Sequence, residues 1–265
     1  MVMIQGLVEN TPSFKEACSY MFKDNKFLQK FGIYYVLSLI AMICTSVIGE
    51  VKDPNLLIPA VVLWIVGVLL NFIPFGYFVS AIKALKTQKD NFVLPMFNFG
   101  KNFKLGFKYA IASLLFGLAA GFAFAAITLI FAIVFGIFSA VIKNNLAFIL
   151  FAIIVATIVL IPVAIYCYRF LAMYSIFAQT EAFTSFFKFK QAGELVVQNQ
   201  TKYNKCFWLI VLLWLLFFII TIVITLLVSI LFKGIAAMII GFVIIYACCA
   251  YVGFVNMYLI AKATK

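Results

Sequence analysis

Residues 109–142 read YAIASLLFGLAAGFAFAAITLIFAIVFGIFSAVI, 34 positions without a charged side chain. A bilayer core is crossed by about 20 apolar residues in helical form. This run is longer, so it must tilt, bend at glycine or project beyond the lipid. Small residues recur along it at Ser113, Gly117, Gly121 and Ala125, and again at Ala132, Gly136 and Ala140. A spacing of four places each set on roughly one helix face. Gly117 and Gly121 form a GxxxG pair, a pattern that admits a second helix backbone at close range. The segment reads as the central packing helix of a multi-span membrane protein.

The rest of the chain has the same character. It is 67% hydrophobic and 11% charged over 265 residues, with a mean hydropathy of +1.19. Soluble domains are about half apolar and a quarter charged. Folding this composition as a soluble domain would require hiding nearly every residue, which surface-to-volume scaling forbids. The apolar runs are long and do not alternate, which excludes a membrane β-barrel. The fold class is therefore all-α: a polytopic transmembrane helical bundle of six spans, with amphipathic interfacial helices on the cytoplasmic side.

Working outward toward the N-terminus, residues 83–108 read KALKTQKDNFVLPMFNFGKNFKLGFK. Lysine interleaved with phenylalanine suits an anionic headgroup layer. Single-stranded nucleic acid would also accept that mixture, but a short loop between two spans favours lipid. The second span covers 56–82, with Pro74 inside it and Asn71 placed to satisfy a freed backbone group. A broken helix lining a path competes there with an ordinary proline kink. A polar hairpin at 49–55 leads back to the first span at 31–48. Residues 1–30 form an N-terminal amphipathic segment. Within it Ser13 and Glu16 fit a capping box behind Pro12, with Phe14, Ala17, Cys18, Met21 and Phe22 on the apolar side. That helix either lies in the interfacial plane, the reading we favour, or docks on the protein's own cytoplasmic face. No basic region followed by an apolar core opens the chain, so no cleavable signal peptide is expected.

Toward the C-terminus, Lys143-Asn144-Asn145 closes the third span. The fourth covers 146–168 with Pro162 inside it. Arg169 follows at the interface, where its long side chain can snorkel. Residues 179–206 carry Phe183, Phe186, Phe187 and Phe189 beside Lys188 and Lys190. The fifth span covers 207–232, and the sixth covers 235–260 with Gly241, Ala250 and Gly253 as small contacts. Residues 31–265 thus form one six-span domain. Among the 20 basic residues, only Lys52, Lys143 and Lys233 fall in the three short hairpins. The positive-inside rule then puts both termini in the cytoplasm of a multi-pass cell-membrane protein.

Two stretches resemble a known family. Residues 71–107, NFIPFGYFVSAIKALKTQKDNFVLPMFNFGKNFKLGF, match a proline-glycine-tyrosine span end, a basic helix, then "LP-x-F" and a glycine-led entry into the next span. Residues 162–205 match a proline-containing span, an exit rich in alanine and tyrosine, an "AF" and F-x-F segment, an amphipathic helix and a lysine-tyrosine start. Both are similar to the uncharacterised prokaryotic membrane family called domain of unknown function four-zero-one-three. The resemblance implies the whole topology and brings no catalytic residues.

The functional reading rests on which chemistry is missing. Histidine is absent, and Glu9, Glu16, Asp24, Glu50, Asp53, Asp90, Glu181 and Glu194 all lie outside the expected spans. No GxSxG, HExxH or P-loop occurs. Enzymatic activity, a metal and a cofactor are not expected. The six cysteines include no CxxC pair and read as small apolar side chains. Coupled transport normally needs an ionisable group at mid-bilayer. The net charge of +12 points to anionic lipid headgroups, with Lys83, Lys86, Lys101, Lys104, Arg169, Lys188 and Lys190 as contacts, and not to nucleic acid. The expected function is a non-catalytic component that organises the membrane or partners another membrane protein or a second copy. The alternative is a transporter or scramblase-like pathway for a lipid or apolar solute.

Overall fold

The computed structural model describes residues 12–51, 53–88, 93–141, 165, 168–231 and 235–265. Every regular element among them is helical. The Ser13 side chain accepts from the Glu16 N–H at 3.1 Å and opens α1, Phe14–Ser19, which tightens into a 3-10 turn at Tyr20–Lys23. α2 runs Phe27–Glu50. Asp53 caps a 3-10 turn at Pro54–Leu56, and α3 follows as Leu57–Thr87. α4 is Phe99–Val141. Residues 168–180 are helical, and a 3-10 turn at Phe183–Phe187 leads to α5, Phe189–Gln198. α6, Gln200–Leu231, and α7, Ile235–Ala263, complete the chain.

Four of these helices are long and apolar enough to cross a membrane: Phe27–Gly49, Pro54–Thr87, Gln200–Leu231 and Ile239–Ala263. They contain the expected first and second spans and cover most of the expected fifth and sixth. The expected fourth span, with Pro162 and Cys167, falls almost wholly outside the described residues. α4 carries the opening stretch, and it starts ten residues earlier than the apolar run does. Its 43 residues form one unbroken helix, roughly 64 Å long at about 1.5 Å per residue. The basic stretch 99–108 is therefore continuous with the apolar run and is not a loop. α3 also passes through Pro74 as one helix, with Asn71 half-buried one turn earlier.

Helices α2, α3 and α4 pack in sequence, α6 pairs with α7, and α7 lies against α3. The tightly packed core gathers at the end where the charged segments meet. Tyr20, Tyr77, Phe177, Phe186, Tyr203, Phe254 and Tyr258 are all fully buried there. Away from that end the helices present Val62, Trp64, Leu118, Phe122, Phe218 and Ile230 outward. That pattern suits a hydrocarbon solvent, where backbone groups must be satisfied within each helix and apolar side chains may face out.

Among the described glycines the closest approach to another helix is between α3 and α4. A Cβ built at Gly76 would lie 1.7 Å from the Asn102 carbonyl oxygen, and one at Gly106 would lie 1.7 Å from that of Phe72. Thus α3 and α4 touch backbone to backbone, with glycine Cα–H groups aimed at carbonyls. Gly67 makes a second close approach, to Ala41 of α2, where a Cβ would sit 2.7 Å from the carbonyl oxygen. Gly117 and Gly121 are exposed, and a Cβ at either would meet no described atom within 4 Å. Ser113 is half-buried and donates to the Ala110 carbonyl at 3.0 Å; Ala125 and Gly136 face outward. The expected packing face of α4 therefore meets no helix at Gly117 or Gly121 among the described residues. In α7 the small-residue reading fits the contacts: Gly241 leaves room for Val228, Gly253 for Tyr34, and Ala250 is buried.

The N-terminal segment also differs from the reading we favoured. It is docked on α7. Ala17, Tyr20 and Met21 are buried, whereas Phe14 and Phe22 point outward. Tyr20 stacks on Tyr258 at 4.4 Å and donates to the Phe254 carbonyl at 2.8 Å. Tyr251 donates to the Cys18 carbonyl at 2.8 Å. A three-turn periodicity missed Tyr20 because the helix narrows to 3-10 there, which rotates the later side chains.

Candidate functional site

The basic segments are brought together at one end of the bundle, and each polar group there is positioned by a specific element. The first centre lies where α2 begins. Asp24 is buried, and its Oδ1 accepts from the Lys26 N–H at 2.9 Å, a local turn at the helix start. Its Oδ2 accepts from Lys30 Nζ at 2.7 Å and from the Leu94 N–H at 2.9 Å. Lys30 Nζ also donates to the Leu94 carbonyl. One carboxylate and one ammonium thus satisfy both backbone groups of Leu94. Tyr77 donates to the Pro95 carbonyl at 3.2 Å, and Phe97 stacks on the Tyr77 ring at 3.9 Å. The stretch 93–98 has no regular structure and is held by side chains in place of a backbone ladder.

Burial opposes the Asp24 charge, but the hydrogen bonds from Lys30, Lys26 and Leu94 outweigh it, so its pKa lies below the ordinary value. A depressed carboxylate stabilises the fold above its unfolded pKa of about 4. That contribution is lost as pH falls through the lower native pKa. Melting of the purified protein should therefore show no loss from this centre between pH 7 and about pH 4, and a decline below. A pH series run beside Asp24→Asn checks this, because the variant should lack that component of the decline.

The second centre joins α3, α4 and the end of the helical run 168–180. Glu181 terminates that run with φ 54°, and its N–H donates to the Phe177 carbonyl at 2.7 Å. A left-handed residue commonly ends a helix, but glycine is the usual occupant. Here the residue is a glutamate whose Oε1 accepts from Lys83 Nζ at 2.7 Å. Lys101, Lys104, Leu105, Lys108 and Glu181 line a cavity of about 150 Å³. The Lys83 hydrogen bond, with the charges of Lys83, Lys108 and Lys101, holds the Glu181 pKa below its ordinary value against the effect of burial.

Further contacts lock the same end. Lys86 Nζ donates to Ser175 Oγ at 2.8 Å, and Ser175 Oγ lies 2.6 Å from Thr264 Oγ1. Tyr258 donates to Glu16, and Lys265 donates to the Gln88 carbonyl. Tyr203 of α6 accepts from the Ala172 N–H at 3.2 Å and donates to the Tyr168 carbonyl. It thereby bridges two backbone groups one turn apart.

The residues expected to touch headgroups divide into groups. Lys83 is half-exposed and pairs with Glu181, and Lys86, more enclosed, hydrogen-bonds Ser175. Lys101 and Lys104 line the cavity and are exposed. Arg169 is half-buried with its guanidinium against Gly193 of α5. Lys188 and Lys190 are exposed. Of the loop phenylalanines, Phe97 and Phe186 face inward, while Phe99, Phe103, Phe107, Phe183, Phe187 and Phe189 form an outward rim. Asp24, Lys30, Leu94, Tyr20 and Tyr258 were not singled out in the sequence. The one local signal was an aspartate just ahead of an apolar helix start with a lysine in its first turns.

Chemically, this end is suited to holding segments and receiving negative charge. Among the described residues no three His, Cys, Asp or Glu side chains come together, and the cysteines form no disulfide. A family model described as "Protein of unknown function (DUF4013)" matches residues 60–231, about two-thirds of the chain. No curated protein and no solved structure matches it.

Proposed function

This chain belongs to the family described as Protein of unknown function (DUF4013), and we propose that it is a non-catalytic component of the cell membrane that partners another membrane protein. It crosses the bilayer six times, with both termini and the basic end in the cytoplasm. One observation carries the reading: the titratable groups gathered at that end mostly fasten one segment to another. Asp24 and Lys30 hold residues 93–97, Glu16 holds α7, and Lys86 joins α3 to Ser175 and Thr264. Such groups are braced rather than poised for proton transfer, which requires a group within reach of a substrate. What this frame displays is the rim of outward phenylalanines and lysines, and aromatic rims of that kind serve association at protein and membrane surfaces.

Mild-detergent extraction and affinity capture of the tagged full chain test the proposal. A stoichiometric membrane protein should co-purify and be released when Phe183, Phe187 and Phe189 are replaced together by serine. Recovery of a solitary monomer from cross-linked membranes would overturn it. So would lipid scrambling or solute flux by the pure chain in liposomes.

A further inference from the structure

The lysine-lined cavity carries positive charge beyond what the fold uses. Lys101, Lys104 and Lys108 follow one another at steps of three and four, so they share a face in the first turns of α4. Like charges at that spacing repel. Lys101 also sits in the first turn, where the helix dipole is positive and carboxylates are favoured, yet that turn contains no acidic residue. Among the described residues that line the cavity the one carboxylate is Glu181, and its ion pair is with Lys83. Among the described residues none of the three α4 lysines forms an ion pair. Glu181 itself holds a left-handed backbone, which is disfavoured for a residue other than glycine. Strain and charge surplus at one place mark a site whose local choices are not explained by stability.

From this we infer that the cavity between Lys101, Lys104, Lys108 and Glu181 binds an anionic phosphoryl group. A volume of about 150 Å³ holds several water molecules at about 30 Å³ each, and so holds a phosphoryl group with its oxygens. Ammonium groups act as point charges toward phosphate oxygens. The cavity lies beside the basic turns of α4, just ahead of the apolar run. Leu114, Leu115 and Leu118 are exposed further along that helix, a surface for acyl chains below the headgroup. The phosphoryl group is thus that of an anionic phospholipid, or else a free phosphate. The inference rests on the membrane placement proposed above but not on the partner, so a failed capture experiment leaves it intact.

The test uses purified full-length protein in detergent. Binding of phosphatidylglycerol, phosphatidylcholine and inorganic phosphate is followed by native mass spectrometry and thermal melting. Phosphatidylglycerol should bind and raise the melting temperature, and phosphatidylcholine should not. A lysine beside an anionic surface contributes about fivefold, so K101Q/K104Q/K108Q should weaken binding on the order of 100-fold. Removing mutual repulsion should leave the unliganded melting temperature at or above that of the parent. K15Q/K26Q removes charge from exposed lysines elsewhere and should bind like the parent. Glu181→Gln removes the competing negative charge and should tighten binding, an opposite sign that a general loss of folding does not produce. Phosphate binding that needs the same lysines, without binding of the lipid, supports the phosphoryl site and makes free phosphate its source. A triple variant that binds phosphatidylglycerol and phosphate as the parent does would overturn the inference, as would equal affinity for phosphatidylcholine.

Discussion

Replacing Gly76 with alanine is expected to abolish recovery of folded protein, although the change adds a single methyl group. The new carbon would lie 1.7 Å from the Asn102 carbonyl oxygen and 2.7 Å from the Gly106 nitrogen. These are backbone atoms of α4, so no rotamer change relieves the overlap. The helices must separate, and the separation passes to everything keyed to their spacing. That includes the Phe72 contacts to Phe103 and Phe107 and the Ser80 hydrogen bond to Asn102. Overpacking ordinarily costs about 1–3 kcal/mol and more where the backbone must move; this site belongs at or beyond the upper end. Gly106→Ala should behave alike, for the mirror-image contact with Phe72. The contrast is G117L/G121L, which adds far more volume where no described atom lies within 4 Å. It should leave the melting temperature of the monomer near that of the parent. Yield and melting in one detergent compare the three variants, and a stable Gly76→Ala protein would refute the crossing.

The second large effect is expected at Lys30. Lys30→Met keeps the length of the side chain and removes its charge, leaving the Asp24 carboxylate buried with only backbone donors. Removing one partner of a buried ion pair costs about 3–5 kcal/mol. The Leu94 carbonyl also loses its donor, so residues 93–97 lose half of what holds them. The pair itself need not be strongly stabilising, because desolvation of two ions offsets most of their attraction. The double variant D24N/K30M should therefore recover a good part of the loss. Thermal melting of the two single variants and the double gives the coupling directly. If Lys30→Met alone melts like the parent, the pair is solvated and the clamp is absent.

Much of this architecture is legible from hydrophobicity alone, because a span must be apolar over its length regardless of what it touches. Four expected spans coincide with long apolar helices, and the Ser13 side chain caps α1 where it was placed, while the Glu16 carboxylate of the expected capping box accepts from Tyr258. Pairing is less legible. The small-residue spacing drew attention to Gly117 and Gly121, yet the crossing is made by Gly76 and Gly106, which belong to no regular repeat. Each supplies one glycine to a contact between different helices, and only the three-dimensional crossing joins them. The same holds for Asp24, whose second backbone partner is Leu94, and for Glu181, whose partner is Lys83. Lysine position tells a reader which side of the membrane a segment occupies, not whether its ammonium faces a headgroup or a carboxylate. Lys86 was expected at the headgroups for that reason, and it hydrogen-bonds Ser175 instead.

The docking of α1 on α7 gives synthesis a fixed closing order. Tyr20 finds its acceptor at Phe254, 234 residues later in the chain, and its stacking partner at Tyr258. α1 thus waits, uncovered, until α7 has been synthesised and inserted, whereas most domains complete their N-terminal parts early. A nascent or truncated chain lacking α7 carries its Tyr20 and Met21 side chains bare, and a finished one conceals them. That difference distinguishes complete molecules from interrupted ones.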